Sequence, residues 1–389
     1  MPTDSLKTTT TGELKAAIDQ LASLPSTPMP FVSVYLNAQS DQHGKDQWEP
    51  FVRKRSKELL ETFTPHTPEY ESLEKDIEKI QAYLQTEVDP SSNSIIIFAC
   101  SAENDFFLPL QLEAPIEENQ FVTDSVPHIY PLIRLDDSFS SYAVLLGNTN
   151  TARLFTVGVG GVEKEDEVES DKMKRHKKGG WSQMRFQRHV DNFRMQHIKE
   201  SVEALEKMVS ADGIKHIILA GDEVVIPQIK EQLPKHLAEM VVDVVSLDIR
   251  SSENEILEKT LESFRNKHDE ESNETAQRLI DEFRSQGLGV VGIKETVAAL
   301  NTGKVDQLVI CSDYELPELG WECQSCRVIE GGQRPAKCTY CNSDDTIDTN
   351  LREQILAKAR GLDANIVLVE GNEQLWNVGG IGALLRFKA

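Results

Sequence analysis

The sequence predicts an α/β protein of three domains, each a mixed sheet with helices, with a zinc ribbon inserted in the third. Three observations lead there. A chain of 389 residues is longer than one hydrophobic core ordinarily fills, and it suits two or three domains of common size. Short apolar runs of strand length alternate with segments of helical period along its whole length. Four of the six cysteines are gathered between Cys323 and Cys341 as two C-x-x-C pairs.

In chain order, Thr10 and Glu13 have capping-box spacing ahead of Leu14, Ala17, Ile18 and Leu21, which recur at helical period. After the turn "STPMP", "FVSVYLNA" alternates as a strand through Val32, Val34 and Leu36. Two charged amphipathic helices follow, the second with Leu73, Ile77, Ile80 and Leu84 on one face, and "SIIIFACS" reads as a buried strand. The polar "DDSFSS" marks a boundary near Asp137, before a hairpin of "YAVLLG" and "ARLFTVG" across Asn148 and Asn150. A charged loop, a helix from about Phe186 to Val209, the strand "HIILAG", a helix after Asp222, the strand "VVDVVSLD" and a helix ending near Phe264 come next. The stretch "RNKHDEESNET" reads as a second boundary. Beyond it lie a helix from Glu274, "GVVGIKETVAALNTG", the strand "QLVICS", the cysteine insert, a helix from Asn350, the strand "NIVLVE" and the ending "GGIGALLRF". The domains are therefore placed at 1–137 (N-terminal α/β), 138–272 (central, with the basic loop) and 273–389 (C-terminal α/β, with the ribbon at about 321–343).

Composition narrows the function classes. With 39% hydrophobic residues the chain can bury real cores. No apolar run approaches the ~18 residues that span a bilayer, and "MPTDSLKTTTTGELK" lacks the layout of a signal peptide, so a cytoplasmic monomer with no membrane partner is expected. A net charge of -23 opposes contact with polyanions in general. One place departs from that average: seven Lys/Arg and no acidic residue lie between Lys172 and Val190, directly after the acidic run "EKEDEVESD". Such asymmetry marks a local site for a negatively charged ligand.

The spacing Cys323-x-x-Cys326 and Cys338-x-x-Cys341, with eleven residues between the pairs, lets two tight knuckles aim four thiolates at one centre. That is the tetrahedral set of a closed, structural Zn²⁺ site, with a redox dithiol or iron as the other chemistries open to it. Cys100 and Cys311, inside apolar strands, read as core residues. The spacer also holds Gly331-Gly332-Gln333, where glycines serve the turn of a ribbon.

The second candidate site is "KMKRHKKGGWSQMRFQRH". Gly179 and Gly180 permit close backbone approach, Lys172, Lys174, Arg175, Lys177 and Lys178 neutralise phosphates, and Arg185 and Arg188 continue the charge onto a helix. Trp181 can stack on a base or ribose, with Ser182 and Gln183 beside it. The plainer reading is a solvated loop with a buried Trp. "GVGGVEK" lacks the full dinucleotide-binding glycine spacing, and no Ser-His-Asp set announces itself.

This loop resembles the central domain of the archaeo-eukaryotic peptide chain release factor family, whose loop ends in Gly-Gly-Gln followed by Ser, Arg-Phe and a long helix. "GGWSQMRFQRH" keeps both glycines and the Arg185-Phe186 pair, places Trp181 and Ser182 before Gln183, and matches the "GGWSQ.RFQR" pattern of bacterial relatives. "MPFVSVYLNA", "SIIIFACS", "GVVGIKETVAALNTGKVDQLVI" and the closing "VGGIGALLRF" are similar to the family's N- and C-terminal domains, and archaeal members carry a zinc minidomain in the third. The resemblance implies a partner, the ribosome, approached at its A site through rRNA and P-site peptidyl-tRNA, with delivery by a translational GTPase as a further implication. The family's Asn-Ile-Lys-Ser stop-codon motif has no counterpart here. Two functions follow: stop-codon-independent peptidyl-tRNA hydrolysis in ribosome rescue, with Gln183 orienting water and Gly179 and Gly180 allowing approach, or non-catalytic ribosome binding of the hibernation or silencing kind.

Overall fold

The computed structural model describes residues 9–39, 48–90, 92–148, 150–159, 161–169, 183–222 and 224–388. They fall into two compact units, one of Met1–Ser138 with Asp269–Ala389 and the other of Phe139–His268. No helix among the described residues is long and apolar enough to cross a membrane.

The N-terminal part of the first unit runs α1 (Thr11–Ala22), β1 (Phe31–Asn37), α2 (Trp48–Leu60), α3 (Pro68–Thr86), β2 (Ser94–Cys100), β3 (Phe106–Leu112), β4 (Gln120–Asp124) and α4 (Tyr130–Ser138). Thr10 and Glu13 close the expected capping box. The strands form an antiparallel sheet in the order β3-β2-β1-β4. Val32, Val34 and Leu36 on one face meet Ile95, Ile97, Ala99 and the apolar stripes of α2 and α3. Central strands covered on both faces must be apolar throughout, so β2 is buried at every position.

The second unit runs β5 (Tyr142–Gly147), β6 (Thr151–Gly158), β7 (Gly161–Glu169), α5 (Gln183–Asp212), β8 (His216–Gly221), α6 (Ile226–Gln232), α7 (Lys235–Glu239), β9 (Val241–Ser246) and the first part of α8 (Glu253–Arg284). Its sheet has the order β7-β6-β5-β8-β9, with β5, β8 and β9 parallel and β5, β6 and β7 antiparallel. Period-two alternation in β5 sends Ala143 and Leu145 toward α5 and α6, and Tyr142, Val144 and Leu146 toward Ile256 and Phe264 of α8. Two sequence expectations change here. Much of the acidic run taken for loop is the edge strand β7, where charge keeps an open sheet edge from pairing with another chain. The stretch 265–275, read as a boundary between a helix ending near Phe264 and one starting at Glu274, is continuous helix within α8, because it is polar but holds neither Pro nor Gly, and the division between the two units falls inside it.

The remainder of the first unit is β10 (Gly289–Val291), α9 (Ile293–Asn301), β11 (Val305–Cys311), β12 (Leu319–Cys323), β13 (Ile329–Gly331), β14 (Thr346–Asn350), α10 (Leu351–Gly361), β15 (Asn365–Val369), α11 (Glu373–Asn377) and β16 (Ile381–Leu385). One sheet has the order β10-β16-β11-β15 and packs on Ala276, Leu279 and Ile280 of α8, and β13-β12-β14 form a separate antiparallel ribbon.

The two ends of the chain meet at Glu353 of α10, whose side chain is buried. Its Oε2 accepts the backbone N–H groups of Ile129 (2.7 Å) and Tyr130 (3.0 Å), the first turn of α4, and its Oε1 accepts His128 Nδ1 at 2.8 Å and Arg352 Nε at 3.2 Å. Burial opposes the charge, yet these donors and the helix N-terminus outweigh it, and the carboxyl is held below its ordinary pKa. Around it Asn350 Nδ2 donates to Asp124 (3.2 Å), Tyr130 Oη to the Ser312 carbonyl (3.3 Å) and Arg360 Nε to Asp19 (2.9 Å).

A carboxylate with a depressed folded pKa stabilises the fold above its unfolded pKa, and that stability is lost as pH falls through the folded value. Asp76, Asp124 and Asp136, raised chiefly by burial, contribute with the opposite sign. Glu353→Gln is therefore expected to cost at least about 2 kcal/mol at neutral pH by weakening the acceptor for several buried donors. It should also flatten the acid limb of the first unit's stability below about pH 4, which hydrogen exchange against pH would read.

Gly221 ends β8 at φ 148°, and a Cβ there would lie 2.2 Å from the Gly147 carbonyl oxygen on β5. Gly221→Ala should destabilise the second unit by at least about 2 kcal/mol in chemical denaturation.

Candidate metal centre and basic loop

The ribbon sequence folds into two loops of one shape. Around Cys323, the Arg327 N–H donates to the Cys323 carbonyl (2.8 Å) and the Cys323 N–H to Val328 (2.9 Å). Around Cys338, the Asn342 N–H donates to the Cys338 carbonyl (3.0 Å) and the Cys338 N–H to Ser343 (2.7 Å). Each loop closes on a residue of left-handed backbone, Arg327 at φ 60° and Asn342 at φ 61°, a conformation unfavourable to side-chain-bearing residues and therefore one the loop must enforce.

This geometry brings Cys323, Cys326, Cys338 and Cys341 together, with all four Sγ atoms within 4.8 Å of one another. Cys323 and Cys341 stand 3.6 Å apart, and Cys326 and Cys338 3.7 Å. A tetrahedron with Zn–S bonds of about 2.3 Å has edges of about 3.8 Å, so the four thiols fit a metal ion of that kind. They are also electrostatically suited to a cation. For Cys338 burial resists ionisation, but the N–H groups of Cys341 and Tyr340 and the adjacent thiols prevail and bring it down to about 7. Cys341, though helped by a hydrogen bond from Ser343, is pushed up to about 12 by burial and its three neighbours. Four thiolates cannot share this space without positive charge among them. Trp321 packs against Cys323 and Cys338 and shields one side.

Gly331-Gly332-Gln333 leaves β13 at the exposed edge of this ribbon. Gly332 has φ 101° and donates its N–H to the Leu319 carbonyl at 3.0 Å, so the glycine serves the strand exit.

Of the basic-loop residues, Lys172, Lys174, Arg175, Lys177, Lys178, Gly179, Gly180, Trp181 and Ser182 lie outside the described residues. Gln183 is the first residue of α5, and Arg185 and Arg188 fall in its first two turns. The surroundings are described. Glu169, where β7 ends, pairs with Thr151 of β6, at the same edge of the sheet as the carboxyl ends of β5 and β8, Gly147 and Gly221. Ligands of open α/β sheets gather at that edge. Farther along, α5 is fixed to the sheet by Ile198, Val202, Leu205, Met208 and Val209. At the same edge Asp222 accepts the N–H groups of Val224 (3.0 Å) and Val225 (2.9 Å) and turns the chain into α6. His197 on α5 is buried and carries a pKa lowered by desolvation; a histidine in a polar-looking helical stretch gave no warning of that in the sequence.

Comparison with known proteins finds similarity to the archaeo-eukaryotic release factors. Residues 127–265 match the profile of bacterial archaeo-eukaryotic release factor family 10. The chain is 22% identical to the eukaryotic peptide chain release factor subunit 1 of Dileptus margaritifer, over 96% of this chain and 91% of that one. It is also 22% identical to the peptide chain release factor subunit 1 of Thermococcus kodakarensis, over 97% of each. Among solved structures, ribosome-bound archaeal Pelota aligns over 99% of this chain and 96% of that one, at 15% identity and a TM-score of 0.43.

Cobalt(II) added to the reduced chain should give the intense visible absorption of tetrahedral thiolate coordination at one ion per chain. Cys338→Ser combined with Cys341→Ser should abolish it.

Proposed function

We propose that this chain enters the ribosomal A site and hydrolyses peptidyl-tRNA without reading a stop codon. The observation that carries the reading is the sequence "KMKRHKKGGWSQMRFQRH", a glycine tip in a basic segment feeding the long helix α5, in a relative of the release factors. In this reading Lys172, Lys174, Arg175, Lys177, Lys178, Arg185 and Arg188 hold rRNA and the tRNA acceptor end, and Trp181 and Ser182 line the tip. Gly179 and Gly180 let the backbone approach the ester. Gln183 holds the attacking water, which adds to the ester carbonyl as the tRNA ribose oxygen leaves with a proton. The absence of an Asn-Ile-Lys-Ser segment favours rescue over termination. The four cysteines hold a structural Zn²⁺, delivery falls to a translational GTPase, and the work is cytoplasmic.

A second reading has a specific observation behind it. Gln183 stands two positions later than the family's glutamine, which suits a protein that occupies the A site and silences the ribosome without chemistry.

Peptide release from purified ribosomes with peptidyl-tRNA and an empty A site separates them. Gln183→Ala is expected to lower release at least ~100-fold, with Gln333→Ala near wild type. Salt-sensitive binding without release by the wild type would favour silencing. Reversing the charge of Lys174, Arg175 and Lys177 together should weaken binding and reduce its log-log salt slope by roughly two to three in either case.

A further inference from the structure

The ribbon also reaches a polar network that the proposed chemistry does not use. In β12 the strand alternation places Trp321 and Cys323 with the thiols and turns Glu322, between them, to the opposite face. Glu322 is 2% exposed. Its carboxylate accepts the hydroxyl of Ser26, from the segment between α1 and β1, and the Gln354 amide at 3.4 Å, and it pairs with Arg327 Nε at 3.1 Å. Gln354 of α10 donates also to Ser26 Oγ (2.7 Å) and Thr349 Oγ1 (3.4 Å), and Thr349 in turn accepts Ser125 Oγ at 3.2 Å. The cation that pairs with Glu322 is Arg327, the left-handed residue that follows Cys326 and closes the first loop, and Lys358 Nζ donates to its carbonyl oxygen.

We propose that metal binding at the four cysteines locks the two ends of the chain together, through Arg327 and Glu322, onto the segments around Ser26 and Ser125. This rests on reading the four thiols as a metal site. With a cation among the thiolates, the first loop is closed and Arg327 is held where its guanidinium meets Glu322. Without it, nothing ties Cys326 to the other three sulfurs, the loop opens, the arginine departs, and a buried carboxylate is left without its ion partner. The favourable response is for Glu322 to reach water, which separates β12 from Ser26 and releases the polar contacts behind it. Asn301, whose Nδ2 donates to the Ile329 carbonyl and whose Oδ1 accepts the Ile329 N–H, and Lys358, which donates to Asn301 Oδ1 at 2.7 Å, keep the ribbon on the C-terminal sheet. The opening is thereby directed to the N-terminal side.

Hydrogen exchange of the full chain, zinc-loaded and chelator-stripped, with zinc measured by emission spectrometry, tests the lock. Stripping is expected to speed exchange at least tenfold in 24–30 and 125–127, leaving β1, β2 and the sheet of Phe139–His268 unchanged. Arg327→Ala, with zinc still bound, should reproduce that pattern. Zinc uptake of one ion per chain with changes confined to 319–350 on stripping would sink the lock alone, as would Arg327→Ala with unaltered exchange in 24–30. Loss of protection in β1 and β2 on stripping would make the ion part of the fold and overturn the lock as well. A chain that takes up no zinc would remove the metal-centre reading together with the lock.

Discussion

A carboxylate taken out of water must find donors on every side, and meeting that demand at Glu353 organises the unit built from the two chain ends. Its donors come from three places: the first turn of α4, the His128 side chain before it, and Arg352 on its own helix. None of these groups is near Glu353 in sequence except Arg352. The cost of burying the charge is offset when these donors converge across more than two hundred positions of chain, within which Phe139–His268 form a body of their own. Arg352 also lies over the Tyr130 ring at 5.0 Å, so the same pair of elements is joined by a cation-π contact.

What could be read from the sequence follows the range of the forces involved. Strands β1, β2, β5, β6, β8 and β11 are apolar runs with turn residues at their ends, and the cap at Thr10 is a local hydrogen bond, so these were legible. The cysteine cluster was legible because spacing alone fixes its knuckles. Elements set by neighbours were not. β7 is a strand because β6 offers it a ladder, although its side chains are largely charged, and α8 continues through a polar stretch because nothing there stops a helix. Glu322, Glu353 and Gln354 look in sequence like ordinary surface residues, since their partners lie hundreds of positions away.

The candidate loop illustrates a different limit. Its residue types announce affinity for phosphate, and α5 gives it a firm base in the sheet of the second unit. The proposed reaction depends on where Gln183 stands relative to an ester within about an ångström, a property that composition does not carry.

The edge strand β7 has a consequence for how a polyanion would meet this chain. Its acidic side chains end at Glu169, and the sequence turns basic at Lys172. Opposite charges set so close along one segment cancel at distances beyond about 8 Å in physiological salt, so they add little long-range pull. At shorter range the strand acts alone: phosphates that approach β7 are repelled, so its charge closes this lateral edge to a polyanion just as it closes it to another strand.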